Sequence, residues 1–435
     1  MRGWPRTVRR HGHGATCSRI LLAAGAALVA AVGCRSVPAP TGDRVLLIGI
    51  DAATWDVIRP LAAAGRLPTL ARLVAEGWSA PLRSMEPTIS PRIWTTIATG
   101  KLPEQHGIEG FLAPAANGSQ IPVTSNLRRA ETLWTIASRA GRTVDVVGWY
   151  VTWPVEPVNG VMVADRFIPE ELDSALAGGP GSLTAEHPGV YPVALAPELE
   201  RLFVRPEDFV TAHERLFHKQ FKMYPVDATR TAIAERLMTE RPADLTMVYL
   251  WGVDPTQHYF WKEYQPERWV GPPIDPVERA LNQDRIPDYY RDTDEFVRRL
   301  LAHTGPRDTV IIVSDHGAGP VTHYDPQKLI SGEHRIDGII LAAGYHVRHG
   351  TAAAEPSVLE VAPTVLHLLG LPAGRDMPGR VIEDMIDPAF LAAHPPARIR
   401  SWEPWRWPWR RRAHAVPSGS DEEIKRRLRS LGYIQ

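Results

Sequence analysis

Five short apolar runs rich in Val and Ile, at 45–50, 144–147, 245–250, 310–313 and 339–341, constrain the fold more than any other feature. Apart from Asp145 and Thr246 they are apolar at successive rather than alternate positions, so both faces of each strand must be covered. Between them lie stretches with helical spacing, at 67–75, 92–99, 131–140, 228–238, 293–302 and 358–369. Strands of this kind separated by helices predict an α/β fold with a mostly parallel central sheet and helices on both faces. The composition suits such a core: 435 residues, 44% hydrophobic and 23% charged, exclude collagen-like, coiled-coil and disordered chains. No internal repeat is detectable.

The charge balance, 49 basic against 49 acidic residues, gives no general footprint for nucleic acid. It hides an asymmetry. Residues 1–33 hold five arginines and no carboxylate, so the remaining chain, with 44 basic and 49 acidic residues, is net acidic by five. The basic stretch to Arg19 precedes an uncharged apolar run at 20–32, too short to span a bilayer comfortably. Residues 1–33 therefore read as an export signal. The small residues before Cys34 resemble a bacterial lipobox, which implies cleavage before Cys34 and lipidation of its thiol. A simple secretory signal, an anchor helix and twin-arginine export at Arg9-Arg10 are the competing readings.

Cys17 would leave with the signal and Cys34 would carry lipid, so the mature domain keeps no free thiol and no disulfide. Cysteine-based zinc sites and thiol catalysis are excluded, and any metal must be held by His, Asp and Glu. Arg35, and not Asp, follows Cys34, which favours the outer membrane and periplasm if the cell has two membranes.

Residues 34–43 read as a polar, Pro-containing tether, and 44–395 as the main domain. Pro/Gly-rich and acidic text at about 165–225 predicts an insertion or cap. The aromatic- and proline-dense stretch at about 252–290 predicts a second, irregular one. Residues 396–435 form a Trp/Arg-rich tail, SWEPWRWPWRRR followed by a charged helical end. The tail either rests on a phospholipid surface or packs over the domain.

Three apolar strands deliver an aspartate at or just beyond their ends: Asp51 after LLIGI, Asp254 after VYLWGV and Asp315 after IIVS. In open parallel sheets ligands sit at the carboxyl ends of strands. A lone Asp there is more often a turn or helix cap; three with attendant histidines point to hard or borderline metal ions. Asp254 and His258 are one helical turn apart, so both can face one ion. Asp315 and His316 are adjacent at a strand end. His334, in SGEHRIDGII, closes the set, with His323 as the runner-up, while His106 in PEQHGI reads as a structural hydrogen-bonder.

Ser90 before Pro91 reads as a helix N-cap with proline at N1, and Gly100 as the stop. A helix N-terminus also offers N–H groups to a phosphate, and a serine there beside a metal can act as a nucleophile. Gly100-Lys101 fails as a P-loop, with Thr95 and Leu102 breaking the pattern, and neither HExxH nor GxSxG is present.

Taken together, IGIDAATWDVI, PTISPRIWTTIATGKLPEQHGI, VGWYVTWPVEPVNG, DPTQHYFW, VSDHGAG and GEHRIDG, followed by SVLEVAPTVLHLLGLP, resemble the alkaline phosphatase superfamily. The resemblance is closest to its type I phosphodiesterase/nucleotide pyrophosphatase branch and related bacterial phosphohydrolases, and spans residues 45–372. It implies an alkaline-phosphatase-like three-layer sandwich with cap insertions and two divalent ions, most often zinc, with manganese possible. Asp51, Ser90, Asp315 and His316 would surround one ion and Asp254, His258 and His334 the other. Ser90 falls at the place of the nucleophile, which implies hydrolysis of phosphate esters, diesters above all, through a phosphoserine.

One departure bears on the diester assignment: nucleotide pyrophosphatases carry an Asn three residues after the nucleophile, where this chain has Ile93. Arg92 could contact a phosphate oxygen, and Trp149, Tyr150 and Trp153 could contact substrate, with helix-surface and core-packing roles as the alternatives. The proline directly after Ser90 disfavours sulfatase chemistry. The rivals are a phosphomonoesterase or phospho-group transferase on the same scaffold, and a non-catalytic envelope binding protein. Substrates compatible with the resemblance are small-molecule, lipid or glycan phosphate esters, met at a membrane through Cys34.

Overall fold

A computed structural model describes residues 43–168, 189–204, 223–328, 330–403 and 414–434. The export signal, Cys34, most of the first predicted insertion and the Trp/Arg run at 404–413 lie outside the described residues. The core is a nine-stranded sheet. In chain order its strands are β1 (Arg44–Ile50), β2 (Trp78–Arg83), β3 (Val144–Val147), β4 (Gly160–Val163), β5 (Val190–Tyr191), β6 (Leu245–Leu250), β7 (Asp308–Val313), β8 (Asp337–Gly344) and β9 (Gly350–Thr351). Across the sheet they run β9-β2-β8-β7-β1-β6-β3-β4-β5.

β7, β1, β6, β3 and β4 are mutually parallel, with Leu46 opposite Val310 on one side and Thr246 on the other. Apart from Arg44 and Gly160 at strand starts, their residues are buried on both faces, as nearly continuous apolar text requires. The run at 339–341 lies in β8, which is antiparallel to both β7 and β2 within a sheet that is mostly parallel, as expected. β8 is an interior strand, paired on both sides, and an apolar run buried on both faces carries no sign of direction.

The Ser90–Thr99 helix lies against the sheet because Gly49 admits it: a Cβ at Gly49 would stand 2.7 Å from the Trp94 ring. Trp94 meets Trp149 and Tyr249 edge-on, each at a centroid distance of 5.1 Å. A buried tryptophan removes roughly 150–250 Å² from water, on the order of 4–6 kcal/mol gross. Trp94 therefore anchors the helix whose first turn carries Ser90.

The stretch predicted as an irregular second insertion is helical, with helices at Val253–Tyr264, Pro276–Asn282 and Arg285–Leu301. Its aromatics Phe260, Trp261, Tyr289 and Tyr290 belong to the main core. Proline opens the Pro276–Asn282 helix and the short 3-10 turn Pro266–Arg268, at a position where a missing N–H costs nothing. The segment 414–434 packs over the domain, with its Asp421–Ser430 helix held by an Arg166–Asp421 ion pair at 3.0 Å.

His106 behaves as the structural hydrogen-bonder expected. Its Nδ1 accepts from the Ile108 N–H at 3.1 Å, which leaves the proton on Nε2, 3.0 Å from the Thr96 hydroxyl. Burial, then the charges of Arg128, Arg92 and Arg129, push its pKa down to about 3. The unfolded chain takes up a proton near the ordinary 6.5 and the folded one does not, so this group removes stability progressively as pH falls from 6.5 towards 3. Proton NMR of the His106 ring should show no titration between pH 8 and 4. A midpoint near 6.5 would contradict the placement.

Candidate active site

The three aspartates come together because their strands are neighbours. β7, β1 and β6 are adjacent and parallel, and Asp315, Asp51 and Asp254 follow them at one sheet edge. Asp254 sits in the first turn of the Val253–Tyr264 helix, and His258 one turn on brings Nε2 to 3.2 Å from its Oδ1. The chain after His316 folds into a two-stranded ribbon, Gly317–Pro320 against Gly332–Arg335, with His334 opposite Ala318. This ribbon returns His334 to the edge, its Nε2 3.3 Å from Asp254 Oδ1. Gly332 is tightly placed, since a Cβ there would lie 2.4 Å from the Gln257 carbonyl oxygen.

All three imidazoles are oriented by backbone carbonyls. Nδ1 of His258 donates to Gly332 O at 2.7 Å, that of His316 to Gly317 O at 3.0 Å and that of His334 to Thr88 O at 2.8 Å. A carbonyl can only accept, so each Nδ1 carries a proton and each Nε2 faces the carboxylates. His258 Nε2 and His334 Nε2 are 3.0 Å apart, too close for both to be protonated. Backbone partners that fix the tautomer and aim the other nitrogen are the usual outer support of a metal-binding histidine.

The carboxylates show the same incompleteness. Asp51 Oδ2 accepts from the buried Tyr249 hydroxyl, and Asp315 Oδ1 from the Ala52 N–H at 3.3 Å. Asp51 Oδ1 and Asp315 Oδ2 are buried with no hydrogen-bond partner. Burial, then the neighbouring Asp315 and Asp254, raise the Asp51 pKa well above the carboxylate range. Burial and Asp254 raise Asp315 to about 7. Burial acts the same way on Asp254, but His258 and His334 outweigh it and hold that carboxyl well below its ordinary value. His316 is kept neutral by burial and by His334. Bringing several carboxylates out of water costs several kcal/mol per ion unless positive charge compensates, and the donor set of N and O atoms suits a divalent cation.

The expected site residues assemble with one adjustment. Asp254, His258 and His334 converge as anticipated, but Asp254 also lies close to Asp51 and His316 and joins the two groups. Asp315 stands beside them, 3.4 Å from His316 Nε2. Ser90 is not the helix cap that its sequence suggested. The helix begins at Ser90 with Ile89 as the cap and no side-chain capping bond. The Ser90 hydroxyl instead lies 3.4 Å from His316 Nε2, at a helix N-terminus where backbone N–H groups and the dipole favour anions.

Other expectations fare differently. Trp149 is fully buried, with its indole N–H on Trp94 O at 3.4 Å, so it is a core residue and not a substrate contact. Trp153 is buried as well, beneath the Arg166 guanidinium at 4.8 Å from its ring. Tyr150 is partly exposed and lines a pocket with Phe111, Arg166, Tyr249 and Arg427. Arg92 lies near enough to His106 to depress its pKa and is half-buried. His323 is exposed and outside the cluster.

Sequence reasoning missed Tyr249, although a tyrosine inside an otherwise apolar strand was a visible signal. It also missed Asp227, which accepts the Trp251 and Gly252 N–H groups at 2.8 Å each and fixes the turn before Asp254. Tyr433, whose hydroxyl lies 2.6 Å from both His258 Nε2 and His334 Nε2, had no local signal at all.

No curated protein matches the sequence. Among solved structures the fold is similar to murine ectonucleotide pyrophosphatase/phosphodiesterase 5, one form of which is an inactive variant in complex with AMP. The TM-score is 0.51 at 13% identity, covering 79% of this chain and 100% of that one. The human protein of the same name gives a TM-score of 0.50 at 15% identity, with the same coverage of both chains. The sequence profile described as type I phosphodiesterase/nucleotide pyrophosphatase matches residues 45–363. That span is well over half of the sequence, and the chain belongs to this family of the alkaline phosphatase superfamily.

Proposed function

We propose that the protein hydrolyses phosphate esters, diesters in preference to monoesters, with two divalent cations and a phosphoserine formed on Ser90. Family membership supports phosphoester hydrolysis. The observation that carries the finer reading is the convergence of three imidazole Nε2 atoms and three buried carboxylates beside a serine at a helix N-terminus.

Asp254, His258 and His334 would hold one ion; Asp51, Asp315 and His316 would hold the other, beside Ser90, with Asp254 between them. Zinc fits the mixed N and O donors best. Bound there, such ions supply Lewis-acid stabilisation of the phosphoryl and leaving-group charge and lower the pKa of a nearby hydroxyl. The Ser90 oxygen, held at the helix N-terminus, gives up its proton and bonds to phosphorus as the ester P–O bond breaks and the alcohol leaves. Water then cleaves the Ser90 O–P bond, restoring the hydroxyl and releasing phosphate or a monoester. Backbone N–H groups of the helix's first turn face the transferring group, and Tyr249 keeps Asp51 in register through its hydroxyl.

The same support holds for the coarser alternatives, a monoesterase or a transferase passing the phosphoryl group to an alcohol; adding alcohol acceptors and analysing products separates them. The sequence of residues 1–34 further supports envelope anchoring through lipid on Cys34. Cys34→Ser should move the protein from the membrane to the soluble fraction, and unchanged fractionation would overturn the anchor.

Ser90→Ala should lower turnover of a chromogenic phosphodiester by at least roughly 10³-fold while metal content stays at the wild-type level. It should also abolish ³²P incorporation into acid-quenched protein, and retained labelling would remove Ser90 from the nucleophile's role. Asp51→Asn tests the charge argument. It replaces a buried carboxylate whose Oδ1 has no partner, which costs about 1–3 kcal/mol. In chelator the variant should melt at or above the wild-type temperature. Added Zn²⁺ should stabilise wild type markedly more than the variant, and equal stabilisation of both would contradict the site.

A further inference from the structure

The Asp421–Ser430 helix ends in a reversal: Gly432 takes φ 74°, and the Tyr433 N–H bonds back to Leu428 O at 2.9 Å. Such a left-handed stop is the ordinary end of a helix, and here it turns the next side chain inward. The Tyr433 ring stacks on Phe111 at 4.7 Å with an interplanar angle of 13°. The helix itself is pinned by the Arg166–Asp421 pair, by Arg427 4.7 Å from the Trp251 ring centre, and by a 2.8 Å hydrogen bond between Ser430 and Tyr259. The hydroxyl of Tyr433 is therefore delivered by a built arrangement.

That oxygen lies 2.6 Å from His258 Nε2, 2.6 Å from His334 Nε2 and 3.4 Å from Asp254 Oδ1. The other three edges of the figure are His258 to His334 at 3.0 Å, His258 to Asp254 at 3.2 Å and His334 to Asp254 at 3.3 Å. Four N and O donors form a compact tetrahedron, and bonds of about 2.0–2.1 Å to a central zinc give edges of about 3.3 Å; the four longer edges are close to that size, and the two Tyr433–His edges of 2.6 Å would lengthen around an ion. A phenol has one hydrogen and can satisfy only one of the acceptors around it. A cation shared by all four donors satisfies every one.

We propose that the Tyr433 oxygen is the fourth donor to a divalent cation at Asp254, His258 and His334, so that segment 414–434 closes a coordination position that hydrolysis needs open. Catalytic sites keep such a position for water or substrate, whereas closed four-ligand sites are structural. Tyr433 must then withdraw for turnover, and the segment acts as a strap on the site. This inference rests on the two-cation reading.

The test measures Zn²⁺ affinities of the full chain and of Tyr433→Phe by competition with a chromophoric chelator. The variant loses one oxygen and keeps the ring that stacks on Phe111. One of the two affinities should fall by roughly 10-fold or more, at least what an outer-shell partner contributes, with the other unchanged. With Co²⁺ in place of Zn²⁺, the visible spectrum of one cobalt equivalent should change. Two ions bound with affinities and spectra identical in both proteins would overturn the inference alone. Equal weakening of both ions together with a lower melting temperature in chelator would also overturn it, by reducing Tyr433 to a packing role. A chain that binds no divalent cation would overturn both this inference and the two-cation reading beneath it.

Discussion

The structure turns on a repulsion that only positive charge relieves. Three carboxylates and three imidazole Nε2 atoms face one another at the carboxyl edge of β7, β1 and β6, largely out of water. Nothing in the local geometry lets the group relax. Each imidazole is tied by Nδ1 to a carbonyl, Asp51 is held by Tyr249, and Asp227 fixes the turn that leads to Asp254. A fold that turns so many acceptors towards one another is organised to bind cations, at a cost in stability when they are absent.

The scaffold explains how residues as distant in sequence as Asp51 and His334 share that edge. Parallel strands deliver their following residues to the same side, so three neighbours in the sheet bring three aspartates together without any long reach. The ribbon after His316 adds His334, and the bond from His334 to Thr88 O ties that ribbon to the segment leading into Ser90. The serine, the imidazoles and the carboxylates are thus held by rigid elements and not by free loops. Such support is what positional precision in catalysis requires.

Much of this was legible in the sequence. Fully buried strands announce themselves as nearly continuous apolar runs, and β3 and β6 match theirs in extent. The Asp254–His258 pair followed from helical spacing alone. What escaped did so for physical reasons. Direction is invisible in an apolar run, so nothing in the text at 339–341 marks β8 as the strand that runs against β7 and β2. The capping preference of Ser90 was outweighed by its tertiary position near His316. Proline and aromatic density at 252–290 suggested irregular structure where prolines open helices and the aromatics enter the core. Tyr433 reaches the site from about a hundred residues beyond His334, and no local pattern reports a contact of that range.

Metal stoichiometry of the purified mature domain, measured by elemental analysis together with chromogenic phosphate diester and monoester turnover before and after chelation, addresses the central claim most directly. The expected result is close to two divalent ions per chain, diester turnover lost on chelation and restored by Zn²⁺, and weaker monoester turnover. A protein that stays metal-free and inert after Zn²⁺ or Mn²⁺ is added would contradict it and favour a binding role for the same pocket.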